Sequence, residues 1–187
     1  MNKARVARGA FVLWAAVLLS GCASLSSEHA PLAGDDFEVQ ARVAVRYGEE
    51  SATGRVAGRH QTQSDELIIS NPLGQGIAEL KRTQHNYFLR TAEGKEYSAD
   101  DPETLTEEAL GWRLPLVGLP QWIRGRALAD APAEGEKTEG RYSELRQLGW
   151  RIDYLAYDEA LNLPTRLRLR RDDLDIRLAI EQWHLGL

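Results

Sequence analysis

The chain reads as a mainly β domain with a small helical insert, an antiparallel sheet that curls around its helices. Three observations predict this. Long runs of period-two apolar alternation open and close the globular part, and turn-forming residues recur at short intervals between runs. Apolar spacing switches to a helical period only in the middle.

The elements follow in order. Phe37, Val39, Ala41, Val43, Val45 and Tyr47 alternate with Glu38, Gln40, Arg42, Ala44 and Arg46, which predicts a long strand with one wet face. A turn at Gly48-Glu49-Glu50-Ser51 leads to a second strand over residues 52–61, where Gly54 and Gly58 mark bending of the sheet. Leu67-Ile68-Ile69 and Ile77-Ala78-Glu79-Leu80 flank the turn formers of Asn71-Pro72-Leu73-Gly74-Gln75-Gly76. A further pair, residues 87–91 and 95–98, surrounds Glu93-Gly94. Asp101 is suited to cap a helix that begins at Pro102, carries Leu105, Ala109 and Leu110, and stops at Gly111. A second short helix is expected near Leu119-Pro120, carrying Trp122 and Ile123. Residues 127–140 are polar, small and acidic and read as a surface loop. Strands resume over residues 145–157, 166–170 and 174–183, with Asp172-Asp173 turning into the last.

Ahead of this domain, Lys3, Arg5 and Arg8 precede nine apolar residues, Phe11 to Leu19, and then Ser20-Gly21-Cys22. A spanning helix needs about 20 apolar residues, so the run reads as the h-region of an export signal. Leu19-Ser20-Gly21-Cys22 resembles the lipobox of bacterial lipoproteins, which implies acylation of Cys22 as the mature N-terminus. Ala23 rather than Asp after that cysteine favours the outer membrane, facing the periplasm. The expected division is residues 1–21 as signal peptide, 22–36 as acylated cysteine and flexible tether, and 37–187 as one domain. Cys22 is the one cysteine, so no disulfide is expected. Net charge is −5, and loss of the basic leader makes it more negative, which argues against nucleic acid and against sustained adhesion to anionic lipid.

No catalytic or metal motif emerges. His29, His60, His85 and His184 are scattered, Gly74-Gln75-Gly76 is turn chemistry, and the acidic pairs fall at turns, the tether and a cap. No cofactor and no metal are expected.

The lipobox, the strand pair around Asn71-Pro72-Leu73-Gly74, the segments Gly111-Trp112-Arg113-Leu114-Pro115-Leu116 and Gly118-Leu119-Pro120-Gln121-Trp122-Ile123-Arg124-Gly125, and the ending Gly149-Trp150-Arg151-Ile152-Asp153-Tyr154 through Leu163-Pro164 to Trp183 together resemble the LolB family. The resemblance runs from about Phe37 to Trp183. It implies an unclosed antiparallel β-barrel whose concave apolar cavity is partly covered by helices. It further implies a monomeric outer-membrane receptor that takes acylated lipoprotein cargo from the periplasmic chaperone LolA and inserts it into the membrane without nucleotide. One departure is visible: the family usually carries a helix before the first strand, and Pro31 and Gly34 leave little room for one here.

For Leu73, between Pro72 and Gly74, the residues alone leave two readings, an exposed tip or a side chain folded under its turn; the resemblance implies a protruding, membrane-inserting leucine. Trp112, Trp122, Trp150, Tyr154 and Trp183 are candidates for the acyl-chain cavity wall, with ordinary core packing the alternative for each. Arg166-Leu167-Arg168-Leu169-Arg170-Arg171 reads as the wet face of a strand, with a lipid or nucleic-acid patch, or the docking of a partner's acidic or basic rim, as alternatives. Two rival functions stand beside the receptor: a scaffold lipoprotein with a filled barrel, and a lipid-anchored hydrolase.

Overall fold

The computed structural model describes residues 31–84 and 86–186. The leader, the lipobox, Cys22, His29 and His85 lie outside the described residues. Eleven strands form one antiparallel sheet: β1 (Phe37–Tyr47), β2 (Glu50–Gln61), β3 (Ser64–Ser70), β4 (Gly76–Thr83), β5 (Asn86–Thr91), β6 (Glu96–Ala99), β7 (Ala133–Thr138), β8 (Arg141–Gln147), β9 (Trp150–Asp158), β10 (Leu163–Arg171) and β11 (Leu174–Leu185). Two helices, α1 (Pro102–Leu110) and α2 (Leu119–Trp122), fall between β6 and β7. The strand order is β6-β5-β4-β3-β2-β1-β11-β10-β9-β8-β7, so β6 and β7 are free edges and the barrel is unclosed.

Strand alternation drives the curl. Phe37, Val39, Ala41 and Val45 of β1 face the core beside Ile176, Leu178 and Ile180 of β11, while Arg42 and Arg46 face outward. Strict alternation along β11 would turn Trp183 outward after Ile180. A bulge at Glu181 inserts one residue opposite the Gln40/Ala41 step, returning Trp183 to the inner face opposite Val39. There its ring meets Phe37 edge-on at 5.4 Å. Gly54 permits a close approach of β2 and β3: a Cβ there would sit 2.4 Å from the Ser70 carbonyl oxygen.

The helix signals hold in detail. The Asp101 carboxylate accepts from the backbone N–H groups of Glu103 and Thr104, Pro102 opens α1, and Gly111 closes it in the left-handed region at φ 85°. Thr106, fully buried, accepts from the Leu114 N–H at 2.9 Å, which binds the chain after α1 back onto the helix.

Three expectations are corrected. The stretch 127–140 is not all loop: it contains β7, an edge strand exposed along its whole length. Without a buried face it needs no apolar alternation, and its Glu134, Glu136 and Lys137 suit an open edge. The single run expected over residues 145–157 is two strands, β8 and β9, joined at Leu148-Gly149, both at positive φ (52° and 77°). The turn at Gly48–Ser51 shortens to Gly48-Glu49, and β2 starts at Glu50.

Ahead of β1 the described residues 31–36 contain no helix. Asp35 accepts hydrogen bonds from Arg124 at 2.8 Å and Arg126 at 3.3 Å, and these bonds hold its carboxyl below the usual range. The Arg124 guanidinium also lies over the Phe37 ring, so this end of the core is covered by Asp35, Arg124 and Phe37.

Candidate functional site

The inner face of the sheet and the segment from α1 to α2 enclose an apolar gap in two parts. The larger, about 170 Å³, is walled by Val43, Val45, Val56 and Ile69 from the sheet and by Leu110, Trp112 and Leu114 from the covering segment. The smaller, about 60 Å³, lies toward Phe37, Leu80 and Ile123. Leu67 and Leu119 border both. Burial raises the Asp65 carboxyl at the rim of the smaller part, but hydrogen bonds from His60 and Arg82 outweigh it and hold the pKa low, leaving that rim an ion-paired seal.

The aromatic candidates are divided by the structure. Trp112 lines the gap. Trp122, Trp150 and Tyr154 are not among its lining residues; they are buried together in the core, with Trp122 and Trp150 ring centroids 6.4 Å apart. Trp183 packs on Phe37 at the end of the barrel. Hydrogen bonds as well as packing hold the buried cluster, although the Trp150 indole N–H finds no partner among the described residues. The Trp122 indole donates to Gln147 Oε1 at 2.9 Å, the Tyr154 hydroxyl donates to the Trp122 carbonyl at 3.0 Å, and the Gln147 amide donates to the carbonyls of Leu128 and Ala131. These bonds fix the C-terminal end of α2 to β8 and β9. Gln147 and Thr106 were invisible to sequence reasoning, because nothing local marks a polar residue that satisfies a distant backbone.

Leu73 is 86% exposed at the tip of the β3–β4 connection. Asn71 builds that tip. Its side-chain oxygen accepts from the Leu73 and Gln75 N–H groups, both at 3.0 Å, and its amide donates to the Gln75 side chain at 2.8 Å. Backbone bonds from Gly74 N–H to Asn71 and from Asn71 N–H to Gln75 close the loop, and Gly74 sits at φ 86°. The side chain is held away from the core by the loop's own hydrogen bonds.

Comparison with known proteins agrees with this geometry. A profile of the family described as Outer membrane lipoprotein LolB matches residues 35–183. The chain is 38% identical over 175 residues to the outer-membrane lipoprotein LolB of Dechloromonas aromatica (strain RCB), covering 89% of this chain and 92% of that one. It is 34% identical to that of Azoarcus sp. (strain BH72), with 99% of each chain covered. Among solved structures, the LolA superfamily protein NE2245 from Nitrosomonas europaea superposes with a TM-score of 0.51 at 10% identity, covering 82% of this chain and 87% of that one. That likeness is one of fold. From profile and sequence identity, the chain belongs to the LolB family of outer-membrane lipoproteins.

Proposed function

We propose that this protein is an outer-membrane lipoprotein receptor, anchored by acyl chains on Cys22 with the domain facing the periplasm. It accepts acylated lipoproteins from a LolA-like chaperone into the gap beneath residues 110–119, and delivers them to the membrane at the loop bearing Leu73. The observation that carries this reading is the gap itself: an apolar receptacle between the sheet and a covering segment, beside a large cluster of buried apolar side chains.

Size sets the mechanism. An apolar cavity of about 150 Å³ holds one benzene-sized molecule, so the gap as it stands takes a short length of one acyl chain. Triacylated cargo requires the cover to move. Trp122 is bonded to Gln147 at one end and Leu114 to Thr106 of α1 at the other, so opening displaces the stretch between these ties, including the buried Pro115 and Leu116. Each square ångström of acyl surface shielded contributes about 25 cal/mol, so cargo passes from chaperone to receptor to bilayer as each holds the chains more favourably, with no nucleotide and no covalent step. Burying one leucine in lipid contributes about 1.5–3 kcal/mol, a magnitude suited to touching the membrane and letting go.

The test mixes residues 22–187 carrying Cys22→Ala with a chaperone preloaded with triacylated lipoprotein. Cargo should change hands without ATP. With Leu73→Glu the domain should stay folded and accept cargo, while insertion into liposomes falls at least tenfold, the effect of about 1.4 kcal/mol. A folded domain that takes no cargo from a competent chaperone would instead place the scaffold reading first.

A further inference from the structure

The chain is acidic overall, yet the outer face of its central strands is rich in arginine. Strand register lays this out. Arg55 of β2 pairs with Arg42 of β1, Arg42 with Ala179 of β11, and Ala179 with Arg166 of β10. One step along, Arg177 of β11 pairs with Arg168 of β10. Arg42, Arg55, Arg166 and Arg177 frame a groove of about 720 Å³ across this face.

Carboxylates are too few to neutralise it. Glu181 serves both Arg42, at 2.7 Å, and Arg55, at 4.0 Å. Asp175 is shared by Arg46, Arg168 and Arg177. Among the described residues no carboxylate comes within 4.0 Å of Arg166. The groove therefore has an excess of positive charge on a negative protein.

Its two ends are apolar. Pro72, beside Leu73, lines one end, and Leu155, 63% exposed on the outer face of β9, lines the other. Guanidinium groups bind phosphate oxygens bidentately and stay charged at any physiological pH, while exposed leucines favour the boundary between headgroups and acyl chains. No aromatic ring lines the groove to stack a nucleobase. We infer that this groove is the surface on which the domain rests on the bilayer: Arg42, Arg55, Arg166 and Arg177 bind the phosphates of anionic phospholipid, with Leu73 and Leu155 inserted on either side. The overall negative charge then holds the rest of the domain off the membrane and orients it. This rests on the reading of Leu73 as a membrane contact, and adds to it a lipid class and a second apolar anchor.

The test uses residues 22–187 with Cys22→Ala, which keep every strand, both helices and the described core but lack the acyl anchor and apolar leader. Flotation is measured with phosphatidylethanolamine vesicles, with and without phosphatidylglycerol. Binding should require phosphatidylglycerol, weaken between low and physiological salt, and fall about 25-fold in Arg42→Gln/Arg166→Gln, since each surface arginine contributes roughly fivefold. Leu155→Glu should also reduce it. Arg90→Gln, on β5 and outside the groove, should leave it unchanged, and thermal melting of each variant separates lost binding from lost fold. Absent flotation, flotation indifferent to phosphatidylglycerol, or flotation unaffected by the double variant overturns the inference. Loss of chaperone binding in the double variant, with vesicle binding intact, overturns it in favour of an acidic protein partner. If Leu73→Glu leaves cargo insertion untouched, the proposed membrane role of that loop fails while the arginine dependence is still measured on its own.

Discussion

The two sides of the inner face differ in what fills them. Toward β8 and β9, Trp122, Trp150, Tyr154, Leu145 and Ile152 are buried together, and Gln147 satisfies the Trp122 indole, the Leu128 N–H and the carbonyls of Leu128 and Ala131, while the buried Trp150 indole N–H has no partner among the described residues. Toward β1, β2 and β3 the same sheet carries valines, Ala52, Gly54 and Gly58, small side chains that stop short of the covering segment and leave the apolar gap. The difference teaches where a receptor of this kind keeps its stability. The cover is tied at Trp122, by its indole bond to Gln147 and the Tyr154 bond to its carbonyl, and borders the gap on the other side.

The largest effect should come from attacking the anchored side. Trp122→Ala removes a fully buried ring and should cost about 3–5 kcal/mol, seen as a large fall in Tm. Leu67→Ala, at the border of both parts of the gap, should cost about 1–2 kcal/mol, because its side chain already lacks neighbours on one side. If the two costs came out equal, the gap would be better packed in solution than its volume implies, and the division of the core would not stand.

Filling rather than emptying sharpens the same contrast. Leu169→Phe enlarges a side chain with no exposed surface and should destabilise by about 1–3 kcal/mol through overpacking. Val56→Phe adds its ring into the gap and should leave stability within about 1 kcal/mol of the parent, while binding of a fluorescent fatty acid probe drops. Thermal melting and probe titration on both variants decide it. Unchanged probe binding in a folded Val56→Phe protein would mean that acyl chains enter somewhere else.

Much of this division was legible in the sequence, but not all. The wet and dry faces of β1 and β11, the capped helix at Asp101 and the turn at Asn71-Pro72-Leu73-Gly74 are local patterns, and local patterns survive folding. What failed is non-local. An aromatic residue in a mainly β chain looks the same whether it lines a cavity, as Trp112 does, or fills a core, as Trp122 and Trp150 do; the distinction lies in which strand stands opposite. β7 has no apolar face to betray it, because one side is edge and both faces are wet. The bulge at Glu181 shifts Trp183 to the inner face, and a pattern of period two has no way to announce its own interruption. The arginine excess of the outer face arises only when β2, β1, β11 and β10 are set side by side, in an order the chain does not follow.

The smallest expected effect on stability tests the loop at the rim of the open side. Asn71→Ala removes two accepted hydrogen bonds and one donated bond, all of them solvent-exposed, and should cost no more than about 1 kcal/mol. The consequence for delivery should be larger than for stability. Without the side-chain bond to its N–H, Leu73 loses the conformation that keeps it off the protein surface, and the chain entropy regained by the loop must be lost again at each membrane contact. Insertion of cargo into liposomes should therefore slow several-fold while acceptance from the chaperone is unchanged. Asn71→Asp, which retains the accepting oxygen for the Leu73 and Gln75 N–H groups, should restore most of the rate. Full insertion by Asn71→Ala would show that an apolar residue at the tip is enough and that its presentation is not; a rescue by Asp assigns the effect to the pinned loop.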